Sequence, residues 1–126
     1  MTPIALEWLQ KAEEDFAVAQ WIAQGPTSAF NAIGFHCQQC VEKYLKCRLQ
    51  EVGVAFAKTH DLDVLLDLVL PIEPTWACLR PRMKFLKPFS VETRYPGVSA
   101  SATDARDAIQ ACSAIRGTMR SAMGLP

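Results

Sequence analysis

Few side chains in this sequence can do acid–base or ligand chemistry. His36 and His60 are the only imidazoles. An imidazole can serve as general acid or base near neutral pH, provided it reaches the reacting group. His36 lies at the border of the apolar faces of a helical stretch, where it is either buried and hydrogen-bonded or aimed into a groove. His60 stands between Thr59 and Asp61 in a helix cap, and its work there is local structure. No serine or cysteine is spaced to pair with either as a nucleophile. Arg94-Tyr95-Pro96 offers different chemistry. An arginine in a proline-stiffened turn ahead of a helix start makes an anion site, with a bidentate guanidinium and free backbone N–H groups. Ser99, Ser101 and Thr103 would add hydroxyl donors. The other reading is a surface arginine in an ordinary turn. Arg80, Arg82, Lys84 and Lys87 raise the nearby charge, as a phosphate-facing surface or as a solvated face.

Cys37-Gln-Gln-Cys40 has the spacing of a redox dithiol or of half a zinc site. A structural zinc needs two further ligands at comparable spacing, and Cys47, Cys78 and Cys112 are isolated. A reactive dithiol sits at a helix start, whereas this pair lies deep inside a helix on its apolar side. Both cysteines read as core packing, and no metal or cofactor is expected.

The element that must position most of these groups is the stretch from Ser28 to Val52. At helical period, Ala29, Ile33, Cys37, Cys40, Tyr44 and Cys47 form one apolar line, and Phe30, Gly34, Cys37, Val41, Leu45 and Val52 a second beside it. A helix apolar over more than half its circumference is buried by several neighbours. Gly34, Cys37 and Cys40 are small enough for those neighbours to come close. Asn31, Gln39, Glu42, Lys43, Lys46 and Gln50 make the polar stripe. Lys46 and Gln50 read as solvated; Gln38 and Gln39, nearer the apolar border, stay open.

Around this helix the chain divides readily. Thr2-Pro3 starts a first helix that Gly25-Pro26 stops. Thr27 or Ser28 caps the central helix, and Gly53 closes it. Thr59 or Asp61 caps a short helix from Asp61 to Leu70, ended by Pro71. A fourth helix runs from Thr75 to about Phe85, kinked or split by Pro81. The stretch KPFSVETRYPGVSAS reads as an irregular connection, long for so small a domain. Ser101 and Asp104 have capping-box spacing ahead of a last helix with Ala105, Ala108, Ile109, Cys112, Ile115, Met119 and Met123 on its apolar side. Strand-like alternation is absent. The pattern predicts one all-α domain over residues 1–126, an antiparallel up-and-down bundle of four to five helices.

With 126 residues, half of them hydrophobic, the chain suits one globular domain. Its 13 basic and 13 acidic residues balance, so bulk charge gives no reason to expect nucleic-acid or membrane binding, though a local basic patch remains open. The charged first helix does not read as a secretory signal, and five cysteines, an odd number, read as reduced thiols in a cytoplasmic protein.

Taken together, WLQKAEEDFAVAQWI at 8–22, FHCQQCVEKYLKCRL at 35–49, THDLDVLL at 59–66 and ETRYPGV at 92–98 resemble the HEPN domain family in order and spacing. The resemblance implies an up-and-down helical bundle that commonly dimerises. It also implies a role as partner of a minimal nucleotidyltransferase in a two-component toxin–antitoxin module, and binding of a nucleotide or RNA. For this chain it points to Arg94, Tyr95, Ser99, Ser101, His36, Gln39 and Lys43 as the nucleotide- or phosphate-binding group.

Many catalytic members are metal-independent ribonucleases with an Arg-x(4–6)-His motif near the start of the last long helix. Arg94 stands where that arginine is expected, but the spacings land on Ser99, Ala100 and Ser101, and no histidine follows His60. The resemblance therefore implies a binding module rather than a cutter. The alternative is a ribonuclease toxin with a non-standard site built on Arg94 and either His36 or His60.

Overall fold

The computed structural model describes all 126 residues, Met1–Pro126. They form five α-helices and no strand: α1 Pro3–Gln24, α2 Phe30–Glu51, α3 Leu62–Val69, α4 Arg80–Leu86 and α5 Ala102–Ala122. The all-α bundle expected from the periodicity is the observed architecture.

Local chemistry accounts for the helix ends. The Thr2 hydroxyl accepts from the Ala5 N–H and Pro3 occupies the first turn of α1. The cap of α2 departs from expectation. Ala29 holds the N-cap position without a side-chain bond, because the Thr27 hydroxyl instead closes the turn before the helix by accepting from Ala29 N–H. Gly53 follows α2 at φ 75°, where a side chain would be strained. The expected helix from Thr75 to Phe85 is split: a 3₁₀ turn, Pro74–Leu79, gives way to α4. Pro81 then lies in the first turn of α4, where its missing N–H costs no bond. The long connection is less irregular than expected, holding short 3₁₀ turns at Lys87–Ser90 and Glu92–Arg94. Ser101 and Asp104 form the full capping box of α5.

The α2 helix is central, and its two apolar lines are buried from Ile33 to Cys47, while Phe30 is half-buried and Ala29 and Val52 at the ends are exposed. Along α1, Asp15 meets His36 and Lys43 whereas Trp8 meets Lys46, so the two helices run antiparallel. The last helix runs parallel to α2, since Ala100 N–H donates to Asn31 at one end and Arg120 donates to Tyr44 at the other. Side chains are small where α2 meets a neighbour closely: a Cβ on Gly34 would stand 2.0 Å from the Phe89 ring. Trp21, near the end of α1, is 77% exposed. No helix is long and apolar enough to cross a membrane.

Three helices are tied together by Glu13. Its carboxylate accepts from Arg116 at 2.5 and 2.7 Å, from Arg120 at 3.1 Å and from the Tyr44 hydroxyl at 2.6 Å. The Arg116 bond, against the opposing effect of burial, holds the carboxyl below its usual 4.5. A depressed carboxyl contributes stability that is present above about 4.5 and lost as pH falls through the lower folded value. Glu13→Gln is thus expected to cost about 1 kcal/mol at neutral pH, modest because the site is partly solvated. The gap between variant and wild type in thermal melts should narrow as pH falls from about 4.5 through the lower folded value; a gap independent of pH would deny the clamp its charge.

Candidate functional site on the central helix

One strip of α2 is only half covered. Phe35, His36, Gln39 and Lys43 lie along it at spacings of three and four residues, which places them on one helix face. From α1, Asp15 reaches this strip. Its Oδ1 lies 2.8 Å from His36 Nδ1 and its Oδ2 lies 2.5 Å from Lys43 Nζ. Because a carboxylate only accepts, His36 Nδ1 carries the proton, and Nε2 remains without a partner in the chain. Asp15 thereby fixes both the ring and its tautomer.

Arg94 reaches the same strip from the connection. Its guanidinium lies over the Phe35 ring at 4.5 Å from the centroid, and Phe35 in turn lies 5.4 Å from the His36 ring. The guanidinium has no carboxylate partner, and stacking on an aromatic face leaves all its N–H groups free. Thus the fold joins Arg94 to the helix bearing His36, Gln39 and Lys43, although the sequence separates them by about fifty residues.

The expected anion cradle at the start of α5 is not what the structure builds. Ser101 Oγ accepts from Asp104 N–H, the Asp104 carboxylate accepts from Ser101 N–H, and Asn31 accepts from Ala100 N–H. Those N–H groups are engaged by the chain's own cap, and the Ser101 hydroxyl with them. Ser99 and Tyr95 are exposed on the turn beyond Arg94. The basic cluster is also thinner than its sequence suggests. Arg80 pairs with Asp63 and Asp67, and Lys87 with Asp61 and Asp63, because α3 lies beside these residues.

The polar stripe requires a larger correction. Lys46, expected in solvent, is 6% exposed, while Glu42 is 2% exposed and Gln38 fully buried. The segment between α2 and α3 folds back over them: Phe56 packs edge-on against Trp8, and Lys46 Nζ sits 5.2 Å from the Trp8 ring. Glu42 accepts from Lys46 at 3.0 Å and lies 2.9 Å from His60 Nδ1. His60 thus packs its exposed ring against α2 rather than acting in the α3 cap, which Asp61 supplies through its bond from Asp63 N–H. Gln38 Nε2 donates to Glu42 at 3.3 Å and to the His60 carbonyl at 3.2 Å, and Gln39 Nε2 donates to Gln38 Oε1 at 2.7 Å.

Cys37, Cys40, Cys47 and Cys112 are buried. A bond to Cys112, together with burial, pushes the Cys37 thiol far above its usual range, and burial pushes Cys47 up to about 11. Thiols so held are inert packing groups.

Asp15 was not singled out as a site residue from the sequence. The signal was present, since it occupies a position on the apolar side of α1 and a buried carboxylate needs a partner. What could not be read was that His36 and Lys43 are those partners.

An all-α bundle organised on a central helix, with a histidine and a free arginine on its open strip, defines a small helical domain of the kind that carries its site on helix surfaces. The model of the HEPN domain matches residues 5–122, and the chain belongs to that family. No curated protein and no solved structure gave a match.

Proposed function

We propose that the α2 strip binds the phosphate of a nucleotide or RNA, and that the chain works as a non-catalytic HEPN domain. In this reading it is a homodimeric cytoplasmic protein and the partner of a minimal nucleotidyltransferase in a toxin–antitoxin-type module. The observation that carries it is Arg94: an arginine with no carboxylate, seated over the Phe35 ring beside His36, presents its fork to a ligand. Lys43 and His36 lie on the same strip, held there by Asp15. No metal is needed for this recognition. Calorimetric titration of the protein with 5′-AMP and a short single-stranded RNA tests it. Arg94→Ala is expected to weaken both by at least tenfold, on the scale of a charge-assisted bond pair. Binding that ignores Arg94 would place the site elsewhere. Co-purification with a nucleotidyltransferase encoded beside the chain tests the partnership separately.

A second reading, a metal-independent ribonuclease, is favoured by one observation, the hydrogen bond between Asp15 and His36. An imidazole with Nδ1 held and Nε2 free is arranged to take the proton of a ribose 2′-hydroxyl, while Arg94 would balance charge on the phosphate. Labelled RNA incubated in EDTA separates the readings. Cleavage lost in both Arg94→Ala and His36→Ala makes the chain a nuclease; intact RNA leaves the binding role.

A further inference from the structure

A surface glutamine ordinarily turns its amide over to suit whatever meets it, since its oxygen and nitrogen exchange places by one rotation. Gln39 lacks that freedom. The Glu42 carboxylate and the His60 carbonyl are acceptors only, and Gln38 Nε2 lies within hydrogen-bond reach of both. Both N–H bonds of Gln38 are therefore directed at them, and its Oε1 must face the other way. There it accepts from Gln39 Nε2. The nitrogen of Gln39 is drawn toward Gln38, so its Oε1, the other branch of the same amide, is turned away from Gln38 and has no donor in the chain, on a half-buried side chain. Turning Gln39 over would set two oxygens against each other or force Gln38 to abandon a carboxylate that is 2% exposed. The centre of the strip thus presents a fixed acceptor, one helical turn from Phe35 and Arg94 and one turn from Lys43.

We infer that Gln39 is a specificity-determining residue that selects a nucleobase carrying an exocyclic amino group, adenine or cytosine, over its keto counterpart, hypoxanthine or uracil. The inference rests on the reading of the strip as a nucleotide-binding surface. With the phosphate on Arg94, the base lies along α2 toward Gln39. An amino group projects beyond the ring edge and donates directly to Gln39 Oε1. A carbonyl in its place sets acceptor against acceptor, and the ring N–H next to it is recessed. Guanine carries donors of its own, so the comparisons that isolate the effect differ only in the amino group: AMP against IMP, and CMP against UMP.

The test is a set of dissociation constants for these four nucleotides with wild type, Gln39→Leu and Arg94→Ala. Wild type is expected to favour AMP over IMP, and CMP over UMP, by about tenfold, the lower end of what side-chain amides achieve in base discrimination. In Gln39→Leu both ratios should fall toward one while all four nucleotides still bind. In Arg94→Ala all four should weaken alike. Equal affinities in wild type, or a preference that survives Gln39→Leu, would overturn the role of Gln39 and leave the phosphate site standing. Absence of any Arg94-dependent binding would remove the phosphate site and this inference with it.

Discussion

Glu42→Ala is expected to destabilise the protein by about 3–5 kcal/mol, the range for removing one partner of a buried ion pair. Lys46 is 6% exposed, with Glu42 as its one carboxylate and the rings of Trp8 and Phe56 on its flanks. With the carboxylate gone, the ammonium has no acceptor, and the aromatic faces offset only part of its lost hydration. His60 loses its carboxylate partner at the same time, and Gln38 loses one of its two acceptors, keeping the His60 carbonyl. The variant should melt on the order of 10 °C lower than wild type. The double variant Glu42→Leu with Lys46→Met removes both charges together and should recover most of that loss, because well-packed apolar groups often replace a buried pair at little cost. A single variant within 1 kcal/mol of wild type would mean that Lys46 escapes to water.

Why this network escaped the sequence is a matter of which surfaces a helical period can see. Periodicity sorts residues by the face of their own helix, and on that basis Glu42 and Lys46 belonged with Gln50 on the polar side. Burial there is imposed by residues 54–61, which fold back on α2 through Phe56 and His60. No local rule fixes the path of such a connection. Where α2 meets other helices, the period was sufficient: Ile33, Cys37, Cys40, Tyr44 and Cys47 are all buried as their line required. The site divides in the same way. Arg94 stood out through its proline-stiffened turn, and His36 through its border position, but the ring that joins them, Phe35, carried no signal of its own. Ser101 shows the opposite case, a hydroxyl whose capping-box spacing told more about its use than its nearness to Arg94 did.

Gly34→Ala should be the most damaging exchange of a single hydrogen for a methyl group in the chain, and its effect should reach the candidate site. The new Cβ would stand 2.0 Å from Phe89 Cδ1 and 2.3 Å from Cε1, closer than atoms can approach. Alanine also favours a helix over glycine by up to about 1 kcal/mol, which works against the clash. Overpacking of this kind costs about 1–3 kcal/mol, so the balance falls on the side of loss. Phe89 is a buried anchor of the Lys87–Ser90 turn, and Arg94 follows five residues later. A ring driven off Gly34 carries this connection away from α2, and Arg94 then loses its seat on Phe35. Two readouts should therefore move together, the denaturation midpoint and the affinity for a nucleotide. Adding Phe89→Leu to Gly34→Ala removes the ring edge and should restore part of each, so the two substitutions together cost less than their sum. A Gly34→Ala protein that is more stable than wild type, by the helix preference alone, would show that Phe89 does not pack on this face. Loss of stability with nucleotide affinity unchanged would separate the turn from the placement of Arg94.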